Sequence, residues 1–522
     1  MYQPVIQTSQ IGYHPTQDKE AVIEMDIRDN RKETAQIIRI DADGEKVVKN
    51  VTPANWGKFL RYNYLKVNFT DVKEPGLYKI KYNTSVSPIF RIDNDVYAWR
   101  MATRTGILPS RTDVPHARQR KIPRMARLLP HGRCPDGTGT QSYRRLRPER
   151  GPGPSSNRVK WFRSEHRRLA RCRRLDLRIE SQAGESYILA LAYEAFHPNL
   201  DVTSIDQINR VTEIHQPDGK NDLLQQVENG ALTVVNGYLA LGRLYRGIIC
   251  NDLRQYVLLG DAAAMTDGKI GNEDDRWIFT EDNPGRELST AAQLAAVSRV
   301  LKGFNDTLSV HCLDIARKVY ASTGSGNNRA LFPKVQAAVE LYLTTGEQPY
   351  MDFILDNQEL IIKQIGRIGW YTARVEKLFA QMKNKKAKAF SAAFRKALTG
   401  YEQELNKQVQ ETPYGVPYRP NIWGAGWDIQ RFGFQHYFLT TAYPEIFPKA
   451  PVFNALNFHS RMATRLRTRL PSLGCRRTIS HCRLRTEPRR LVVHSRWSHF
   501  RYGAYPSRLP GTPDVPVPLA TD

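Results

Sequence analysis

The 522-residue chain reads as a small β-sandwich followed by an all-α domain, with two arginine-rich stretches interrupting the second part. Three observations carry that reading. Short β-rich runs with turn dipeptides between them fill residues 1–97. Long apolar periodicities of three and four residues fill roughly 176–458, with no alternation of strands. The excess charge lies almost wholly outside both regions.

The N-terminal runs are Ala21-Val22-Ile23-Glu24-Met25, Ala35-Gln36-Ile37-Ile38-Arg39-Ile40 and Leu77-Tyr78-Lys79-Ile80-Lys81-Tyr82. Asp43-Gly44 and Pro75-Gly76 punctuate them as turn dipeptides, and such spacing predicts a small sandwich. From about 176 the period changes. Leu224, Val227, Ala231, Val234, Tyr238 and Leu241 share one helical face over five turns. Comparable patterns predict helices over 289–303, 309–321, 333–345, 350–366, 371–382 and 387–409. Breaks fall at Pro284-Gly285, Gly324-Ser325-Gly326 and Thr412-Pro413-Tyr414-Gly415.

Composition excludes several classes. With 41% hydrophobic and 10% aromatic residues the chain is too apolar to be disordered. No run approaches the ~18 apolar residues of a membrane span, and six cysteines are too few for a disulfide scaffold. The opening Met1-Tyr2-Gln3-Pro4-Val5 lacks a signal-peptide pattern. The net charge of +25 suggests a nucleic-acid partner until it is located. Residues 101–175 carry +16 and residues 459–522 carry +10, which leaves −1 for the rest.

Three causes could produce these stretches. Nucleic-acid arms mix Lys with Arg and contain few apolar residues, whereas these hold Trp161-Phe162, Leu128-Leu129 and Leu491-Val492-Val493. A metal site is the second, but His131, Cys134, Cys475, His481 and Cys482 fit no recognised zinc spacing. The third cause is translation in the wrong frame, since GC-rich coding DNA read out of frame yields excess Arg, Pro, Ser, Gly and Cys without periodicity.

Residues suited to chemistry concentrate between Pro417 and Phe438: Tyr418, Trp423, Trp427, Phe432, Phe434, His436 and Tyr437, with Gly424 and Gly426 among them. Aromatics beside a glycine-rich turn can form a platform for sugar rings. Packing at a helix entry is the commoner use, and the same holds for Trp370-Tyr371. His436 is expected as a satisfied core histidine. Glu273-Asp274-Asp275 is expected as an exposed loop, because calcium loops space carboxylates at alternate positions.

Gln10-Ile11-Gly12-Tyr13-His14-Pro15, with Lys19 and Ala21, resembles the opening of the immunoglobulin-like domain of family 9 glycoside hydrolases, which are cellulase-like enzymes. Pro75-Gly76-Leu77-Tyr78 resembles a later strand of that domain. Asp176-Leu177-Arg178-Ile179-Glu180-Ser181 resembles the segment just after the family's D-A-G-D motif. Asn421-Ile422-Trp423-Gly424 and Phe453-Asn454-Ala455-Leu456-Asn457-Phe458 resemble parts of its (α/α)6 barrel. The implied domains are an immunoglobulin-like sandwich over 1–97 and a glycosidase barrel over 98–522.

The family would place G-G-W-H-D-A-G-D before Asp176, where this chain has Arg167 to Leu175. With suitable codons, those nine residues read one nucleotide later give that octapeptide. The same offset turns 101–138 and 481–520 into strings of ordinary composition. The expectation is therefore that 101–175 and 459–522 are out of frame.

The resemblance implies inverting hydrolysis of β-1,4-glucosidic bonds in β-glucans or oligosaccharides, with the D-A-G-D aspartates activating water and a C-terminal glutamate as acid. Neither group carries over: Ala170, Arg171, Cys172, Arg173, Arg174 and Leu175 stand in place of the first motif, and Asp522 falls short of the second. The chain as written is thus expected to be inactive. Trp423, Trp427, Trp370, Tyr371 and Tyr418 are the expected sugar contacts. No cofactor is implied, with room for a structural calcium ion, and no nucleic-acid or membrane partner. The family is commonly periplasmic or secreted. The alternatives are a non-catalytic carbohydrate-binding protein and a basic nucleic-acid-binding protein.

Overall fold

A computed structural model describes residues 2–97, 136–138, 177–206, 211–214, 216–250, 276–324, 328–419 and 426–459. Apart from 136–138 and His459, the two arginine-rich stretches therefore lie outside the described residues, as do Trp423, Glu273-Asp274-Asp275 and the positions replacing D-A-G-D. The described residues belong to one compact unit, Met1–Thr464.

The N-terminal part is a sandwich of two antiparallel sheets. One has the order β1 (Val5–Gln7), β2 (Glu20–Asp26), β6 (Tyr62–Asn68), β5 (Ala54–Phe59). The other runs β4 (Gly44–Val51), β3 (Ala35–Asp41), β7 (Gly76–Tyr82), β8 (Ser85–Val86), with β9 (Phe90–Ile92) also on β7. Ile6, Ile23, Met25, Ile37, Leu65, Val67 and Ile80 fill the space between the sheets.

The residues behind the family resemblance act structurally here. Gly12 has φ +109°, and a Cβ there would run into the Arg91 carbonyl and come within 2.7 Å of Val96. Tyr13 is fully buried, accepts from the Ser9 N–H at 2.9 Å and donates to the Glu20 carbonyl at 3.0 Å. Lys19, also fully buried, donates Nζ to the Pro15 and Gln17 carbonyls at 2.7 and 3.0 Å. A buried ammonium is tolerable only with such partners.

Beyond the sandwich the chain forms helical hairpins: α1 (Ile179–Phe196), α2 (Asp222–Leu241), α3 (Pro284–Leu301), α4 (Asp306–Ser322), α5 (Asn328–Thr345), α6 (Gln348–Asp356), α7 (Gln358–Lys363), α8 (Ile365–Ala380), α9 (Lys385–Val409), α10 (Gly426–Ala442) and α11 (Ala450–Asn457). Helix starts follow capping chemistry. Asn221, Asn283, Asn305 and Asn384 each accept backbone N–H groups of the first turn of α2, α3, α4 and α9.

Two expectations need correction. The helix predicted over 350–366 is three pieces, because Asn357 (φ −102°, ψ 20°) ends α6 and begins α7, and Gln364 does the same between α7 and α8. The second domain is not wholly helical either. A hairpin pairs β12 (Thr203–Asp206) with β13 (Val211–Ile214), and β14 (Gly247–Cys250) pairs with β15 (Arg276–Thr280). β15 also pairs with β10 (Asp136–Thr138), and β14 with β11 (Leu177–Arg178). Gly247-Ile248-Ile249-Cys250 and Arg276-Trp277-Ile278-Phe279-Thr280 are β-branched and aromatic runs of strand length.

Candidate active-site mouth

Side-chain contacts fix the direction of the inner helices. Glu180 and Arg286 join the starts of α1 and α3 at 2.7 Å, and Glu194 and Arg299 join their ends at 2.7 Å. Arg299 reaches Glu340 of α5 at 2.8 Å, and Arg374 of α8 pairs with both Glu340 and Glu194. Trp370 and Arg374 of α8 meet Phe434 and Phe438 of α10 in the same order. So α1, α3, α5, α8 and α10 run parallel, and their N-termini lie at one end of the barrel, the candidate mouth. The positive ends of five helix dipoles converge there.

Toward the other end the same helices are wired by Glu194, Arg299, Glu340 and Arg374. Glu340 is fully buried, with Tyr187 donating to it at 2.7 Å. Burial alone would raise its pKa, yet Arg374 and Arg299 hold the carboxyl below its usual value. This group fastens helices together, and its charges are already satisfied by one another.

At the end where these helices start, Arg286 binds Glu180 at 2.7 Å and Glu281 at 2.6 Å, while Arg246 approaches Glu281 at 3.6 Å. Burial works against the Arg286 charge, and the two glutamates more than restore it, so its pKa is raised. Both carboxylates are committed to a shared guanidinium. Neither is arranged as a free acid or as a base facing a water molecule. Phe332 of α5 lies under the Arg367 guanidinium at 4.5 Å, and Tyr371 donates to the Phe332 carbonyl at 3.3 Å.

The expected sugar contacts separate on this frame. Trp427, in the first turn of α10, is 63% exposed at the mouth. Trp370 and Tyr371 are core residues, 8% and 4% exposed. Tyr371, Phe434 and Phe438 pack around the Trp370 ring, which leaves little of either aromatic for a sugar. Tyr418 is 38% exposed and stands edge-on to Phe59 of the sandwich at 5.5 Å. His436 is a core histidine, 3% exposed, with Nε2 2.9 Å from the Pro448 carbonyl.

Sequence reasoning missed the rim cluster and the buried charge group. A signal existed for the second: Glu340 interrupts Val335-Gln336-Ala337-Ala338-Val339-Glu340-Leu341-Tyr342-Leu343, where a lone charge in an apolar run demands a partner. Among the described residues no group of three or more His, Cys, Asp or Glu side chains could hold a metal ion. Among them, too, no helix is long and apolar enough to cross a membrane.

The described residues thus form a sandwich followed by a barrel of helical hairpins whose inner helices run parallel. Residues 1–87 match the cellulase N-terminal ig-like domain and residues 256–461 match glycosyl hydrolase family 9. The chain thus carries a cellulase-type ig-like domain ahead of a domain of glycosyl hydrolase family 9, the two matched in that order.

Solved structures agree in fold. A metagenome-derived glycoside hydrolase family 9 endoglucanase superposes with TM-score 0.62 at 16% identity, covering 88% of this chain and 83% of that one. A thermostable endoglucanase from Alicyclobacillus acidocaldarius gives 0.61 at 13%, covering 88% and 81%. The Bacteroides ovatus GH9 protein gives 0.59 at 17%, covering 87% and 83%. A search of curated proteins finds no match.

Proposed function

We propose that this fold serves inverting hydrolysis of β-1,4-glucosidic bonds in β-glucans or their oligosaccharides, outside the cytoplasm, and that the chain as written does not perform it. Inversion needs one carboxylate to activate water and one carboxylic acid to protonate the leaving oxygen, roughly 6.5–9.5 Å apart. Two carboxylates of the described rim, Glu180 and Glu281, share Arg286 instead. The D-A-G-D positions of the family would end just before α1, which starts at the mouth, and Ala170 to Leu175 supply no carboxylate.

The observation that carries the reading is where family likeness stops. The match to the sandwich ends at 87 and the match to the barrel ends at 461, so almost all of both arginine-rich stretches falls outside. That supports out-of-frame segments at 101–175 and 459–522. Trp427, Trp423 and Tyr418 are proposed as the sugar wall, with Trp370 and Tyr371 backing it from the core.

The experiment is a β-glucan assay on two chains, one as written and one with the frame restored through both stretches. The restored chain is expected to release reducing ends with the α-anomer first by NMR, and the written chain none. Hydrolysis by the purified written chain would contradict the proposal. Glucan affinity in a folded, inert written chain would mark it as a carbohydrate-binding protein.

A further inference from the structure

We propose that the cleft between the sandwich and the barrel is a second saccharide site, one that takes one or two neutral sugar rings. A cavity of about 340 Å³ opens there, within the roughly 300–1,000 Å³ of small-molecule sites. Asp18, Glu20 and Asn68 line it from the sandwich, and Tyr414, Asn454 and Asn457 from the barrel.

The lining chemistry selects the ligand. Carboxylate and amide oxygens accept from sugar hydroxyls, amide nitrogens donate to them, and a phenol ring offers an apolar face. Among the described residues no lysine or arginine lines the cavity, so they offer an anion no cationic partner. Glu20 is already held by Lys66 at 3.0 Å. That leaves Asp18 as the second carboxylate, short of what a divalent cation gathers.

A separate observation points to a hydroxyl donor. Asn457 is 4% exposed, and its Oδ1 has no hydrogen-bond partner. A buried acceptor of this kind is uncommon in native proteins, and a ligand hydroxyl would satisfy it. The wall is also built closely. Gly415 (φ +64°) lets the loop approach Asn454, whose Nδ2 donates to the Gly415 carbonyl at 3.4 Å. Tyr414 in the same loop packs on Tyr64 of the sandwich, ring centroids 6.3 Å apart.

The choice of a glucose-type ring rests on the proposed glucan activity. The cleft itself uses no residue of the mouth, so the two ideas can fail separately. The test is cellobiose titration by calorimetry of the full chain, as written and frame-restored, with folding checked by circular dichroism. In Trp427→Ala, which disables the mouth, millimolar binding should persist. Adding Asp18→Ala, at an exposed position, should weaken it at least tenfold, and Asn68→Ala serves as an independent second variant. Cellobiose should also slow hydrogen exchange at 412–416. Absence of binding in folded Trp427→Ala, or binding there that survives both Asp18→Ala and Asn68→Ala, would overturn the proposal. So would calcium binding that cellobiose does not displace.

Discussion

Three of the buried titratable residues bear on the response to pH, and they do not pull together. His436 has its pKa lowered from 6.5, chiefly by burial. The folded state therefore binds fewer protons than the unfolded one around that value. Its contribution is complete above pH 6.5 and is lost as pH falls below it. Glu340, held below its ordinary 4.5 by Arg374 and Arg299 against the effect of burial, contributes above 4.5 and loses that contribution as pH falls through its depressed value.

Asp222, fully buried at the start of α2, has the opposite sign. Burial pushes its pKa from 3.8 up to about 6, so ionisation costs stability as pH rises through 3.8 to 6. Its Oδ2 accepts from the Val202 N–H at 3.1 Å, while Oδ1 is unpartnered. Asp222→Asn should therefore stabilise the protein on the order of 1–2 kcal/mol at pH 7.5 and little at pH 4. Urea unfolding at the two pH values measures this, and equal effects at both would contradict the assignment. His436→Gln should flatten the decline in melting temperature between pH 7 and 5. An unchanged slope would mean another group titrates there.

At the scale of elements, exposure separates aromatics that look alike in sequence. Trp370→Ala removes a core ring packed by Tyr371, Phe434 and Phe438, and should cost about 3–5 kcal/mol. Trp427→Ala, at an exposed ring, should change stability by less than about 0.5 kcal/mol while weakening glucan binding by the frame-restored chain about tenfold. Denaturant melts paired with affinity electrophoresis on β-glucan distinguish the two. A Trp427→Ala chain with native affinity would remove that residue from the sugar wall.

The strands at 21–25, 35–40 and 77–82 were legible because β-rich runs and turn dipeptides agree there; they appear as Glu20–Asp26, Ala35–Asp41 and Gly76–Tyr82. The helical face from Leu224 to Leu241 was legible for the same reason, a single period held over many turns. The break at Asn357 was not, since asparagine is tolerated inside helices and only the backbone geometry reveals the turn. Nor was Trp370 separable from Trp427. Both sit in aromatic helical segments, and which face turns inward depends on neighbours distant in the chain.

Across the whole described unit, the sandwich and barrel are joined by aromatic contacts. Tyr64, which donates to Glu24 at 3.1 Å, packs on Tyr414, and Phe59 meets Tyr418. The described part of the loop between α9 and α10 thus rests on the N-terminal domain through Tyr414 and Tyr418. Tyr64→Ala should lower the stability of the sandwich and loosen this loop together, seen as faster hydrogen exchange at both 62–68 and 412–416. Faster exchange in the sandwich alone would show that the joint is incidental.

The charge asymmetry was the feature that sequence made plainest. A neutral body with two arginine-rich stretches, both outside the two family-model matches except for 459–461, is what the proposed shift of reading frame would leave. The direct test is the nucleotide sequence of the gene across codons 95–180 and from 455 past the stop. Single-nucleotide slips near codons 100, 175 and 458, with G-G-W-H-D-A-G-D in the restored frame, are the predicted result. One uninterrupted frame encoding the arginine-rich stretches as written would contradict it.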